Sequence, residues 1–338
     1  MAKRDLDTAK DNKKDEFYTS LTDIELEMKN YKDKFFGKTV LCNCDDPFES
    51  NFFKYFAMNF KYLGLKKLIC TCYDGSPVAG TEFNLFTCNS FIQTPKAVAV
   101  KVVITDIEDY NHDGAIDMND VETLLKSPGI VQKLNGNGDF RSDECIELLK
   151  ESDIVCTNPP FSLFREFIST LFAYNKQFII IGNVNAIAYK EVYPYIINNK
   201  LWMGQSIHSG VREFRVPNDY PLKASGWRID DEGNKYIRVK GVRWWSNIDY
   251  PKRHEDMTLY RTYKPELYPK YDNCDAINID VTSEIPSDYY GLMGVPITFL
   301  DKYNPSQFEL VRFRKGDDGK DLCVKGKCPY FRILIRRK

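Results

Sequence analysis

Nothing in this chain reads as a membrane span, because no run reaches the ~20 apolar residues that a bilayer demands. Its opening, MAKRDLDTAKDNKKDEF, holds no apolar signal core, so the expected compartment is the reducing cytoplasm and the ten cysteines are expected as free thiols. Paired CxxC units are missing too. The spacings Cys42-x-Cys44, Cys70-x-Cys72 and Cys323-x4-Cys328 favour structural cysteines over a zinc site. Histidine is scarce: His112, His208 and His254 are too scattered for a hydrolase triad or a zinc cluster. Charge of one sign is not in excess either. With 47 basic and 48 acidic residues, a uniformly basic nucleic-acid coat is excluded, although a local basic face is not. Internal repeats and low-complexity tracts are absent.

What the chain does have is length and aromatic rings. Its 338 residues suffice for one large or two moderate domains with a real core. The 22 Phe and 21 Tyr raise aromatic content to 14%, which asks for a surface or pocket that stacks on something.

The periodicities predict an α/β organisation. Residues 1–14 read as a flexible basic arm, and Phe17, Leu21, Ile24, Met28 and Tyr31 have helical spacing. A strand at Lys38 to Cys44, a helix at Ser50 to Tyr62 and a strand at Leu65 to Tyr73 form a parallel β-α-β unit, and Val98 to Thr105 is a third strand. A helix at Ser142 to Ser152 precedes a strand at Asp153 to Thr157. Leu163, Phe164, Phe167, Ile168, Leu171 and Phe172 then give one apolar helical face. Phe178 to Gly182 is a buried strand, and Ala186 to Lys200 is a helix interrupted at Pro194. Beyond residue 200 the pattern becomes short antiparallel strands, as in Lys235 to Lys240 and Gly241 to Trp245. Residues 200–270 carry fourteen basic side chains against nine acidic, and residues 311–338 ten against three, so this half offers a basic aromatic surface suited to nucleic acid. Trp244 and Trp245 serve either that surface or the core, with at least one expected in the core.

Asn158-Pro159-Pro160-Phe161, directly after an apolar strand, carries the most chemical information. Two prolines remove two backbone donors and fix two φ angles, leaving carbonyls as outward acceptors. The Asn158 side-chain oxygen beside the Pro159 carbonyl presents two acceptors to one NH2 group, and Phe161 can stack on a planar base. Methylating an exocyclic amine needs this, since its conjugated lone pair becomes nucleophilic only when both hydrogens are held. The sulfonium of S-adenosylmethionine is already a strong donor, so positioning supplies most of the catalysis. A plain strand-ending turn is the other reading of the same four residues.

The chain resembles the adenine-specific DNA methyltransferases of the EcoRI modification methylase type. The resemblance runs through Asp15 to Thr19, Leu41 to Pro47, Ser50 to Phe56, Leu63 to Leu68, Gly138 to Ser142, Glu144 to Lys150 and Asp153 to Glu166. It implies a Rossmann-like S-adenosylmethionine-dependent methyltransferase fold with a mixed C-terminal target-recognition region. It further implies N6-methylation of a flipped adenine in duplex DNA, as in restriction-modification, and suggests a GAATTC target. A cognate restriction endonuclease acting on the same site is the further partner it brings. By resemblance Asn158, Pro159, Pro160 and Phe161 are the catalytic loop, and Phe17, Tyr18 and Thr19 cover the cofactor. Asp139 and Phe140 meet its adenine. Asn43 and Asp45 lie where a glycine-rich cofactor loop is usual, yet Asn43 to Pro47 contains no glycine. A carboxylate there suits the methionine amino group. Asp74, past the second strand, suits the ribose hydroxyls, or is an exposed turn aspartate.

An acidic stretch stands apart. Asp109, Asn111, Asp113, Ala115, Asp117 and Asp120 match a twelve-residue calcium loop with Gly114 at its sixth position, although Asp replaces the usual final Glu and a strand precedes the loop. A structural calcium ion and a solvated turn are both open at this point. The resulting division is an arm at 1–14, a methyltransferase core at 15–200 with an acidic insertion at about 105–122, and a sheet-completing, DNA-recognising region at 201–338. Rival readings are an RNA adenine or protein glutamine N-methyltransferase, or a non-catalytic calcium-stabilised DNA-binding module.

Overall fold

The computed structural model describes residues 19–74, 98–208, 210–216 and 226–338. The described residues form two compact units, one within Met1–Ala186 and Ser209–Ile248, the other within Ile187–His208 and Asp249–Lys338.

The first unit is built on β1 (Thr39–Cys42), β2 (Lys67–Thr71), β3 (Val100–Ile104), β4 (Val131–Lys133), β5 (Ile154–Thr157) and β6 (Gln177–Asn183). They lie in the order β4-β3-β2-β1-β5-β6. β1 runs parallel to β2 and β5, and β5 parallel to β6, while β3 and β4 turn antiparallel. β1 and β5 are buried at every residue, which is why they read as unbroken apolar runs instead of alternating.

Local signals set the helices. In α1 (Leu21–Met28) the Ser20 hydroxyl caps Asp23 N–H, and the helix then tightens into a 3-10 turn at Lys29–Lys34. Ser50 caps α2 (Asn51–Met58), which continues as α3 (Phe60–Leu63) and stops at Gly64 in the left-handed region. α4 (Met118–Lys126), α5 (Asp143–Glu151) and α6 (Phe164–Ala173) complete this unit's described α-helices. The helix expected over Ala186 to Lys200 is instead a 3-10 turn at Val184–Ala188 and α7 (Tyr193–Ile197). Pro194 sits in the first turn of α7, where its missing N–H costs nothing, so it helps start a helix and does not interrupt one.

β7 (Trp202–Met203) belongs to the second unit, whereas β8 (Val211–Val216), β9 (Trp227–Ile229) and β10 (Lys235–Lys240) form an antiparallel sheet in the first. β11 (Val242–Ser246) pairs antiparallel with β6 and adds to the main sheet. Its Trp244 and Trp245 are both fully buried, the first edge-on to Phe52 of α2 and the second tilted against Phe164 of α6. A side chain at Gly182 would place its Cβ 2.3 Å from the Phe164 ring, so only glycine leaves room for that pairing. In the second unit β12 (Lys270–Tyr271), β13 (Cys274–Asn278), β14 (Leu292–Pro296), β15 (Phe308–Phe313) and β16 (Arg332–Arg337) make a sheet in the order β12-β13-β14-β16-β15.

Two expectations change. Cys323 and Cys328 are joined as a disulfide, not free, because the short turn bridged by Val324 and Lys327 brings their Cα atoms to 4.0 Å. Among the described residues the other seven cysteines form no disulfide, and six of them are buried. The basic surplus beyond residue 200 is also partly neutralised: Arg212 pairs with Asp23, Arg215 with Glu49, and Arg228 and Arg238 both with Glu213.

Candidate active site

The order of the main sheet fixes where a ligand can sit. From β1 the chain moves outward through β2, β3 and β4, then returns to β5 on the other side of β1. A crevice opens at such a reversal, beyond the carboxyl ends of the two strands. Asn43 to Asp46 leave β1 there, and Asn158 to Phe161 leave β5.

The two segments are bonded to each other. Cys44 N–H donates to Thr157 Oγ1 at 3.2 Å, and the Thr157 hydroxyl donates to Asp45 Oδ2 at 2.5 Å. The Ser50 hydroxyl, which caps α2, donates to Asp45 Oδ1 at 2.5 Å. Asp45 N–H reaches the Thr71 carbonyl at the end of β2, and the Cys70 thiol reaches the Asp45 carbonyl. Asp45 therefore ties three strand ends and one helix cap together. Burial pushes its carboxyl up to about 7, opposed by the bonds from Ser50 and Thr157 and assisted by the charge of Asp46. Asp46, itself only 6% exposed, turns an oxygen back to Phe48 N–H.

Thr157, Asn158, Pro159 and Pro160 are buried, while Phe161 is half-buried. The Pro160 carbonyl accepts from Leu163 N–H at 3.0 Å, which opens the 3-10 turn Phe161–Leu163 and hands the chain to α6. The tetrapeptide is thus a rigid step between a central strand and a helix.

The expected cofactor residues gather only in part. Asp74 N–H bonds the Asn137 carbonyl at 2.8 Å, so Asp74 and the segment Gly138 to Phe140 meet at the same sheet edge. Gly138 has φ +78°, and a Cβ there would lie 2.1 Å from the Cys72 carbonyl oxygen, so glycine permits this approach. Phe140 is 5% exposed and edge-on to Phe167 at 5.0 Å, more a core ring than an open platform. The Asp139 carboxylate is gripped by Arg141 at 2.8 and 2.6 Å, and Arg141 also reaches Glu166. Thr19 is buried, and its carbonyl accepts from Asn51 at the start of α2; Phe17 and Tyr18 lie outside the described residues. Sequence reasoning passed over Thr157 and Ser50. The cap at Ser50 had a signal in its place before an aromatic helix, whereas Thr157 had none.

The acidic loop does not gather a metal site. Asp109 turns its oxygens to the N–H groups of Asp113 and Gly114, Asn111 to Asp113, and Asp113 to Ala115. Asp117 caps α4, and Asp120, fully buried, accepts from Tyr110, Asn111 and Asp117. The Asp117 bond, with those of Tyr110 and Asn111, holds the Asp120 carboxyl below its usual value against burial. Among the described residues no three His, Cys, Asp or Glu groups converge on a point that would hold a metal ion. The calcium expectation for Asp109, Asn111, Asp113, Ala115, Asp117 and Asp120 is not supported: the side-chain oxygens of the Asp and Asn residues accept turn and cap bonds, and Ala115 donates its N–H to Asp113.

S-adenosylmethionine offers an amino group and ribose hydroxyls as donors. Asn43, Asp46 and Asp74 supply oxygen acceptors at this sheet edge, and Gly138 lets the 138–140 segment close in. This acceptor set fits the cofactor. A mixed sheet with parallel central strands, whose reversal point is flanked by such a segment and by an Asn-Pro-Pro-Phe loop, belongs to the methyltransferases that use it. The family model for the adenine-specific methyltransferase EcoRI matches residues 5–338. Type II methyltransferase M.EcoRI of Escherichia coli is 49% identical over 335 residues, covering 98% of this chain and 96% of that protein. M.MgeORF184P of Mycoplasma genitalium is 37% identical, with 98% of each chain covered, and M.MpnI of Mycoplasma pneumoniae 33%, with 98% and 97% covered. No solved structure matches. The chain belongs to the EcoRI family of adenine-specific methyltransferases. It is therefore an enzyme, which sets aside the non-catalytic binding module and the protein glutamine reading.

Proposed function

We propose that the protein transfers the methyl group of S-adenosylmethionine to N6 of an adenine flipped out of a specific site in duplex DNA, as the modification enzyme of a restriction-modification pair. The observation that carries this is the place of Asn158, at the end of β5 beside the sheet's reversal point and across from the segment that follows β1. Bound there, the cofactor supplies an electrophilic methyl group on a sulfonium. The Asn158 side-chain oxygen and the Pro159 carbonyl hold the two amine hydrogens and so direct the nitrogen lone pair out of the ring plane. Phe161 stacks on the extruded base and Pro160 stiffens the turn. Asn43, Asp74, Asp139 and Phe140 form the cofactor side, with Asp139 exchanging part of its Arg141 bond for the adenine amino group, and Phe17, Tyr18 and Thr19 cover it. Residues 201–338 complete the sheet and read the target. The cytoplasm is the expected compartment; among the described residues no helix is long and apolar enough to cross a membrane.

The test uses labelled S-adenosylmethionine with unmethylated DNA, including a GAATTC duplex, and RNA in parallel, followed by digestion to nucleosides. Label in N6-methyldeoxyadenosine, abolished by Asn158→Ala while cofactor binding persists, is the expected result. Label in RNA alone, or near-normal turnover of Asn158→Ala, refutes the reading. Resistance of the methylated DNA to an endonuclease of the same specificity tests the proposed partner.

A further inference from the structure

We infer that Asp45 is a positioning residue for methyl transfer, acting on Asn158 through the hydroxyl of Thr157. The inference rests on the reading of residues 158–161 as the catalytic loop, and it gives Asp45 a different task from direct contact with the cofactor.

Proton accounting leads there. A hydroxyl has one proton to donate. Ser50 Oγ accepts from the N–H groups of Phe52 and Phe53 at 3.1 and 3.4 Å, and its proton goes to Asp45 Oδ1. Thr157 Oγ1 accepts from Cys44 N–H, and its proton goes to Asp45 Oδ2. Each carboxylate oxygen therefore accepts from one hydroxyl, and the buried group is held by its own neighbours. The ionised acid matches this network, while burial favours the neutral one. The groups facing it are Asp46 on its own segment, the thiols of Cys42, Cys70 and Cys156 on the strands, and the two hydroxyls; none of these is a cation.

Protonation turns one charged acceptor oxygen into a neutral hydroxyl that is itself a donor. The 2.5 Å bond on that side then weakens or reverses. Loss on the Ser50 side loosens the cap of α2; loss on the Thr157 side frees the residue next to Asn158. A displacement of an ångström or less at a positioning group lowers turnover sharply because the amine must be held in line with the methyl. The charge state of Asp45 thus decides how firmly the end of β5 is held against the β1 segment.

The experiment measures single-turnover methyl transfer on a target duplex from about pH 5.5 to about pH 8.5, with cofactor affinity and Tm at each pH. It compares the full-length wild type with Thr157→Val, Thr157→Ser, Asp45→Asn and Asn158→Ala. The wild type should lose rate on the acid side with a midpoint near 7. Thr157→Ser should keep both rate and midpoint, since it keeps the hydroxyl. Thr157→Val and Asp45→Asn should fall roughly 10- to 100-fold in rate, lose the acid midpoint, and bind cofactor within a few-fold of wild type. A wild-type profile flat across the range overturns the inference, as does loss of rate in Thr157→Ser with unchanged Tm. If Asn158→Ala is inactive while Thr157→Val and Asp45→Asn match wild type, the positioning role fails and the catalytic loop stands. If Asn158→Ala turns over normally, the catalytic loop itself fails.

Discussion

Thr157 Oγ1 lies 2.5 Å from Asp45 Oδ2, although 112 residues separate them in the chain. The bond joins the loop that leaves β1 to the last residue before Asn158, across the reversal point of the sheet. A tool for placing an amine against a methyl donor needs such a link, and the bond from Cys44 N–H to Thr157 Oγ1 reinforces it.

That carboxylate also carries a stability signature. Its folded value of about 7 lies above the ordinary 3.8, so the folded protein binds the proton more tightly than the unfolded chain. The stabilisation from protonation is complete below pH ~4 and is lost as pH rises through ~7. At about 1.4 kcal/mol for each tenfold change in proton affinity, the whole window is on the order of 4 kcal/mol. Asp45→Asn removes this dependence, so its Tm relative to wild type should climb between about pH 5 and about pH 8. Parallel Tm curves for the two proteins would contradict the assignment.

Phe161 is proposed to pay back unstacking of the target base. Phe161→Ala should lower kcat/KM on a matched duplex roughly 10- to 100-fold, the equivalent of one base-aromatic stack. A duplex with a mismatch at the target adenine has less pairing to break and should recover part of that loss. Equal defects on matched and mismatched duplexes would show that the ring does something else.

Gly138→Ala places a Cβ 2.1 Å from the Cys72 carbonyl oxygen at a φ of +78°, so both space and backbone oppose it. The segment must withdraw from β2. Cofactor affinity should fall about tenfold or more with Tm reduced, and isothermal titration alongside thermal melting checks both. Wild-type affinity would remove Gly138 to Phe140 from the cofactor side.

Asp120 holds the acidic loop by three backbone bonds. Asp120→Ala should lower Tm by several degrees, and the wild-type benefit, which comes with a lowered carboxyl value, should fade as pH falls through the acid range. Calcium and chelator should give the same Tm for the wild-type protein. A rise with calcium would restore the metal reading.

The central strands were legible because β1, β5 and the middle of β6 are buried at successive residues and so read as apolar runs. Helix starts were legible where a hydroxyl stood before an apolar run, as at Ser142 before α5. The Asn-Pro-Pro-Phe loop was legible because two prolines leave so few conformations. Proline misled at Pro194, since the same ring breaks a helix interior and begins a helix end, and only the position of the first turn tells the two apart.

The sequence by itself determined the strand and helix periods, the family, and the four residues proposed to hold the amine, since each rests on near-neighbour spacing or contiguous motifs. Tertiary structure alone decided which side chains share a proton, which acids are already spent and which cysteines meet. Thr157 carries no signal in the sequence and Asp45 only that of a carboxylate in the cofactor loop, until parallel pairing of β1 with β5 sets their oxygens 2.5 Å apart. Conversely, the calcium-like spacing was real, yet folding turned its oxygens to backbone N–H groups. Spacing lists which groups are near in the chain; packing determines where their hydrogen bonds go.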